Sequence, residues 1–349
     1  MKISLKDIFQ FIAFTSIGAL ILWWLWKNQA AAYLGDCRLR GIPEVQCSLA
    51  EKLISDFKSS NFYWIIAICI IFMLSNVCRA LRWNQMLEPL EIKPKLYNSF
   101  FIIMVAYFIN LGFPRSGEFA RAALLTKYEG ATFEKTLGTV IIDRILDIIC
   151  LLIVLALGFI LCFDALWAYI SQHSGDPLLT GRFGWLIAGG VVIVLMGIGS
   201  IYVIFKDDRF AKNRIVSKLR NILRGLWDGM KSVRQVDNIP FFLFYTAAIW
   251  FSYFLMTYWM FSAFEPTAHL NAIAGLLVFD MGTLGIVFPS PGGMGTYHAM
   301  VVKALEILEI NSADGFSFAM IIFFSVNIFC NVVSGLLGLI LLPILNRKK

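Results

Sequence analysis

The sequence predicts an all-α polytopic membrane protein with about six full transmembrane helices plus two broken re-entrant hairpins, arranged as an inverted-topology repeat. Three observations lead there. Of 349 residues, 59% are hydrophobic and only 15% are charged, and the mean hydropathy is +0.74; soluble domains are nearer half apolar and about a quarter charged. Long apolar runs alternate with short basic segments, as in a chain crossing a bilayer repeatedly. Two apolar runs end at a Pro/Gly break, and the breaks occupy matching places in two similar halves.

In chain order, Met1–Asp7 carries Lys2 and Lys6, and Ile8–Trp26 is apolar. A signal peptide is the competing reading, with Ala30-Ala31-Ala32 imitating a cleavage site. The run exceeds a usual signal core, so a retained first span is expected. Asn28–Ser60 reads as a mixed polar loop holding Cys37 and Cys47, ten residues apart. A disulfide there needs an oxidising side, and the sequence leaves both states open. Phe62–Cys78 is the second span, followed by Arg79, Arg82, Lys93 and Lys95 on the basic side; Trp83 sits where an interfacial anchor would.

The first broken hairpin covers about Asn98 to Gly130. Its apolar run, Phe100–Leu111, is about half of the roughly 20 residues a spanning helix needs. Then Pro114 removes a backbone donor, Gly117 frees the backbone, and Arg115, Glu118 and Arg121 add charge. A helix starting near Ser116 would put Glu118 and Arg121 on one face. Non-helical backbone at membrane depth is tolerated only where protein or a water-filled cavity surrounds it. Leu137–Phe163 is a span carrying Asp143, Arg144 and Asp147 near its start.

Asp164–Gly181 is nearly free of Lys and Arg, and Gly184–Phe205 is the next span. Lys206–Asn238 is the most basic loop, and Ile215, Leu219, Ile222, Leu226, Met230 and Val233 recur at helical steps. Residues 206–234 thus read as a cationic amphipathic helix for an anionic leaflet, or as a solvated linker. Phe241–Phe264 is a span. The second broken hairpin, about Asn271 to Ile310, repeats the device: Phe288-Pro289-x-x-Gly292 matches Phe113-Pro114-x-x-Gly117. Phe316–Leu342 is the last span.

Basic residues place both termini, Arg79–Lys95 and Lys206–Arg234 in the cytoplasm. The two hairpins then enter from opposite faces, the inverted repeat that many transporters use to build a midplane site. The expected organisation is 1–60, a first span and external loop; 61–163, the first half; 164–239, a connecting span and basic helix; and 240–349, the second half.

Three motifs now carry a resemblance. Arg115-Ser-Gly-Glu118-Phe-Ala-Arg121, then Gly138-Thr-Val-Ile-Ile-Asp143-Arg144-Ile-Leu-Asp147, then Pro289-Ser-Pro-Gly-Gly-Met-Gly-Thr296 together resemble the lysylphosphatidylglycerol synthase transmembrane-region family. These are flippase-like proteins related to the N-terminal part of the multiple peptide resistance factor, and the resemblance covers Phe62–Leu342. It implies lipid translocation or handling in the cytoplasmic membrane of a prokaryote. His298 stands where the family often has an acid. The soluble aminoacyl-transferase domain of the resistance factor is not expected here, nor is tRNA-dependent lipid synthesis.

The candidate substrate-binding residues are Arg115, Glu118, Arg121, Asp143, Arg144, Asp147, Asp280, Gly292, Gly293 and His298. Arginine presents a planar fork suited to phosphate, and a half-helix N-terminus near Ser116 would add its dipole. Arg121 could equally balance the acids in a buried structural network. Asp143 and Asp147 share a helical face, with Arg144, Arg115 and Arg121 as expected partners. Ionisable groups inside a span usually mark a pathway or a paired site. Asp280 is the lone acid of its apolar run. His298 could titrate near neutrality or be a satisfied interior histidine. Gly292, Gly293 and Gly295 lack the lysine of a phosphate loop. Asn327, Asn331 and Ser334 share one face of the last span and suit bonds between helices.

The net charge of +7 sits in loops, so nucleic acid is not an expected partner. No Cys/His spacing suits zinc, and no catalytic set or nucleotide site stands out. A metal, a cofactor and enzymatic activity are therefore not expected. The leading expectation is a lipid translocase taking a membrane phospholipid or polyprenyl-phosphate head group in a midplane cavity. The alternatives are a membrane-embedded enzyme or enzyme subunit modifying lipids or lipid-linked glycans, and a scaffold recruiting a soluble transferase through residues 206–234. The oligomeric state stays open.

Overall fold

The computed structural model describes residues 5–39, 43, 47–113, 116–163, 167–168, 236–287 and 293–347. The chain divides into one unit of residues 1–162 with 236–349 and a second of 163–235. The helices below belong to the first. The expected span Gly184–Phe205 and basic helix 206–234 lie outside the described residues, as do Arg115 and Gly292.

The described residues are helical in this order: α1 Leu5–Leu39, α2 Leu49–Ser59, α3 Phe62–Leu87, α4 Leu96–Gly112, α5 Gly117–Glu129, α6 Phe133–Leu161, α7 Ile239–Ala263, α8 Ala272–Val287, α9 Thr296–Ile307, α10 Ser312–Ile322 and α11 Asn331–Leu345. A π-helical stretch, Phe323–Cys330, joins α10 to α11. Among the described residues, four continuous helical stretches are long and apolar enough to cross a bilayer: Phe62–Leu90, Phe133–Leu161, Ile239–Ala263 and Ser312–Leu345, the last joining α10, the π-helical stretch and α11. The protein is an all-α integral membrane protein. Exposed Ile148, Leu152, Ile153 and Ile160 line the outside of α6, as expected of a lipid-facing surface.

The stretch 28–60 corrects the expected loop. Helix α1 runs on through Ala30-Ala31-Ala32 to Leu39, because alanine favours helix strongly. Helix α2 follows, opened by Ser48, whose hydroxyl accepts from the Glu51 N–H at 3.4 Å; Ser-x-x-Glu before an apolar run is a helix-start pattern. Cys37 and Cys47 form a disulfide across the junction. Helix α2 is tied to α10 by Lys52, which contacts Asp56 at 2.8 Å and Asp314 at 2.7 Å, and by the Ser317 hydroxyl, which donates to Asp56. Burial alone would lower the Lys52 pKa, but bonds and charge from Asp314 and Asp56 outweigh it and raise it above its ordinary value.

Both expected hairpins form as two short helices around a break. Helices α4 and α8, of 17 and 16 residues, rise about 25 Å each at 1.5 Å per residue, short of a hydrocarbon core of roughly 30 Å. Each returning helix starts hard against its partner. The Gly117 N–H donates to the Asn110 side chain at 2.8 Å, and a Cβ at Gly117 would overlap the Ala106 carbonyl. The Thr296 hydroxyl donates to the Gly285 carbonyl at 2.6 Å, and a Cβ at Gly285 would meet the Tyr297 backbone at 2.7 Å.

The halves are related by exchange. Helices α3 and α7 pack antiparallel: the Asn61 N–H donates to the Ala263 carbonyl at 2.8 Å, Trp64 meets Trp259, and Arg82 at the far end donates to Thr246 at 3.4 Å. The first limb of each hairpin packs antiparallel on the last span of the other half. Asn98 and Asn346 exchange bonds of 2.9 and 2.7 Å where α4 begins and α11 ends. Cys162, at the end of α6, donates to the Ile273 carbonyl at the start of α8 at 3.5 Å. Bare glycines make these contacts possible: Gly335 and Gly338 receive Phe108 and Val105 of α4, and Gly158 receives Asp280 of α8.

The expected bonds from Asn331 and Ser334 to neighbouring helices are absent among the described residues; both donate to their own helix, to the Asn327 and Cys330 carbonyls. A four-residue back-bond is the nearest acceptor for a short side chain in apolar surroundings.

Gly335→Ala should place a methyl against Phe108 and cost about 1–3 kcal/mol by overpacking. Thermal unfolding of the purified protein in detergent is expected to show the loss, while Gly35→Ala, in open space, should not.

Candidate functional site

The site assembles where α3, α5, α6 and α7 meet. Helix α3 does not stop at Cys78; it continues to Leu87, where Pro89 follows, so Arg79 and Arg82 are one turn apart on a buried face. They are 2% and 0% exposed. This corrects their expected place on the basic side beyond the span. Trp83 is likewise buried rather than interfacial, its indole N–H donating to the Thr139 hydroxyl at 3.0 Å.

Asp143 and Asp147 of α6 face these arginines as a pair. Arg82 Nη2 lies 2.5 Å from Asp143 and 2.8 Å from Asp147. Arg79 Nη1 lies 2.8 Å from Asp147 and 3.3 Å from Asp143, and its Nη2 donates to the Tyr253 hydroxyl of α7 at 3.1 Å. Arg121 of α5 reaches Asp143 at 2.7 Å and sits over Trp83, its guanidinium carbon 3.8 Å from the ring centre, a cation–π arrangement. Two charges this close attract strongly in a low-dielectric interior, and each Asp143 oxygen is held by at least one guanidinium.

Arg144 and Glu118 form the outer edge. Arg144 Nε is 3.1 Å from Glu118, close enough for attraction but not aligned as a hydrogen bond, and its Nη1 is 3.4 Å from Asp147. The Arg144 side chain is 38% exposed and that of Glu118 23%, so this edge opens outward. Glu118 and Arg121 do share one face, turned toward α6. Among the described residues, four arginines face three acids, one cation more than the anions.

Of the expected partners of Asp143 and Asp147, Arg121 and Arg144 are in place. The main partners of this pair, Arg79 and Arg82, were missed; the signal was there as two arginines three apart, matching two aspartates four apart on another helix. Five buried guanidinium nitrogens lack an acceptor among the described residues: Nε of Arg79, Arg82 and Arg144, and Nε and Nη2 of Arg121.

Asp280 and His298 are not part of this cluster. Asp280 lies against Gly158, eleven residues beyond Asp147 on α6, or about 16 Å along its axis. His298 is 1% exposed and boxed by Tyr297, Phe316 and Phe323. It is interior as expected, but neither ring nitrogen has a partner among the described residues. Gly293 adopts φ +79°, a left-handed conformation that glycine supplies at the hairpin turn.

A sequence model of the lysylphosphatidylglycerol synthase TM region matches residues 47–334. A UPF0104 membrane protein of Methanothermobacter thermautotrophicus is 26% identical over 271 residues, 70% of this chain and 75% of that protein. A UPF0104 membrane protein of Methanocaldococcus jannaschii is 24% identical over 231 residues, 64% of this chain and 91% of that protein. No solved structure matches.

Asp143→Asn would strip the shared counter-ion from three buried guanidiniums. Removing one partner of a buried ion pair costs about 3–5 kcal/mol, so this variant should unfold far more readily than wild type in detergent, as read by thermal melting.

Proposed function

Because the chain belongs to the lysylphosphatidylglycerol synthase transmembrane-region family, we propose that it is a lipid translocase that takes a phosphate-bearing head group at the arginine cluster. The substrate is a membrane phospholipid or a polyprenyl phosphate, its tail left in lipid. The observation that carries the reading is the surplus of donors: among the described residues, five buried guanidinium nitrogens have no acceptor and the arginines of the cluster outnumber its acids by one. Arginine N–H groups match phosphate oxygens in number and direction. A buried donor left unmade is expensive, so an anion entering here gains more than it would at a saturated ion pair.

The roles divide by exposure. Arg79 and Arg82 hold Asp143 and Asp147 and set the floor. Arg144, at the outward edge, meets the phosphate first, and Glu118 is the anion it exchanges. Arg121, held against Trp83, receives the phosphate next. The two hairpins, packed on opposite halves, are elements that can rock past each other, as in transporters built from inverted repeats. The protein works in the cytoplasmic membrane of a prokaryote with both termini inside.

Arg144→Gln and Arg121→Gln should each slow movement of a fluorescent phospholipid or polyprenyl phosphate in proteoliposomes by about 10- to 100-fold, the equivalent of one charge-assisted bond of roughly 1.5–3 kcal/mol. Rates equal to wild type in both variants, or no movement of any candidate lipid by wild type, would overturn the reading. Lipid extracts of deletion cells separate the alternative: a missing modified species would mark an enzyme, while an unchanged inventory with altered leaflet exposure marks transport.

A further inference from the structure

Asp280 is the one described acid buried in the second half without a cation. Its residue is 6% exposed, and Oδ1 has no hydrogen-bond partner among the described residues. The niche is built for it. Gly158 lacks a side chain where the Asp280 carboxyl lies, and any Cβ there would overlap the carboxyl oxygen Oδ2. The exchange of halves sharpens the contrast: Gly335 and Gly338, the matching glycines on α11, meet the apolar side chains of Phe108 and Val105 and backbone carbonyls of α4, with no ionisable group among these nearest contacts.

Among the described residues, α6, α7 and α9 make the main contacts with α8. From α6 comes Cys162, whose thiol is spent on the Ile273 carbonyl. From α7 come Tyr258, against Gly275, and Trp250, whose ring meets Phe279 and whose buried N–H has no acceptor among the described residues; Tyr253 lies one turn on, committed to Arg79. From α9 come Tyr297, against Gly282 and Gly285, and His298, turned into its aromatic box. Lys303 of α9 bonds Glu306 at 2.6 Å, and Arg144 of α6 belongs to the arginine cluster. No ion pair to Asp280 is present among the described residues.

An isolated carboxylate in such surroundings is costly, and a proton removes the cost. We propose that Asp280 is a proton-binding site, loaded and emptied as the second hairpin changes its exposure, through which a proton gradient drives the protein. The step is the addition of one proton to a carboxylate oxygen and its later release to water on the other side. The coupling to lipid movement rests on the transport reading above; the binding of the proton does not. Asp280 is eight residues into α8, about 12 Å deep from that helix's start, and about 16 Å along α6 from the head-group cluster, so proton and lipid would occupy separate sites joined by one rigid helix.

Two measurements test this. Infrared difference spectra of the wild-type protein across the neutral pH range should show a carboxyl band that titrates, absent in Asp280→Asn and shifted in Gly158→Ala. In proteoliposomes, an imposed proton gradient should raise the wild-type rate several-fold and leave the Asp280→Asn rate unchanged, with that variant folded as judged by gel filtration. A missing titrating band, or a variant that still responds to the gradient, would overturn the proposal. Wild type that moves no lipid under any gradient would overturn the transport reading and the coupling with it, while the infrared titration still decides whether Asp280 takes the proton.

Discussion

A fully buried carboxylate held by three guanidiniums governs this molecule. Asp143 lies in α6, and its partners arrive from α3 and α5. A charge buried in apolar surroundings is tolerated only if it is paired and bonded, so those helices must keep their register or lose far more than ordinary packing. Arg79 extends the lock to α7 through Tyr253. The cluster therefore fixes the crossing of α3 and α7, the helices on which the two halves meet.

That crossing explains why the fold accepts broken hairpins. A half-length helix cannot anchor itself across a bilayer, and its exposed ends need partners. Here each first limb leans on the closing span of the opposite half, with glycine on that span allowing close approach. Polar pairs sit at the outer ends, such as Asn98 with Asn346. The interleaving makes each half depend on the other.

The breaks were the most legible part of the sequence. Proline and glycine act locally, so Pro114–Gly117 and Gly293–Gly295 announced their turns without any knowledge of neighbours. The pairing of α4 with α11 and of α8 with α6 could not be read, because glycine contacts between distant segments leave no periodic signal. At the site, Glu118, Arg121, Asp143, Arg144 and Asp147 were legible as ionisable groups in or beside apolar runs. Arg79 and Arg82 were not, because arginine after an apolar run usually marks a cytoplasmic boundary. What decided otherwise is the uninterrupted helix to Leu87 and an acidic pair far along the chain. The helical state of residues 28–60 was hidden for a similar reason: its polar residues masked an alanine-rich continuation and a short amphipathic helix.

The exchange relating the halves holds for the backbone and fails for charge. Among the described residues, the first half concentrates four arginines and three acids around the middle of α6, while Asp280 of the second half lies near the end of that same helix. A symmetric frame with an asymmetric charge has a physical consequence. Asp147 of the arginine cluster and Gly158 of the Asp280 niche stand on the same helix, so a shift of α6 felt at one site reaches the other. Helix α6, which touches both, is the rigid element able to couple them, and its length sets their separation.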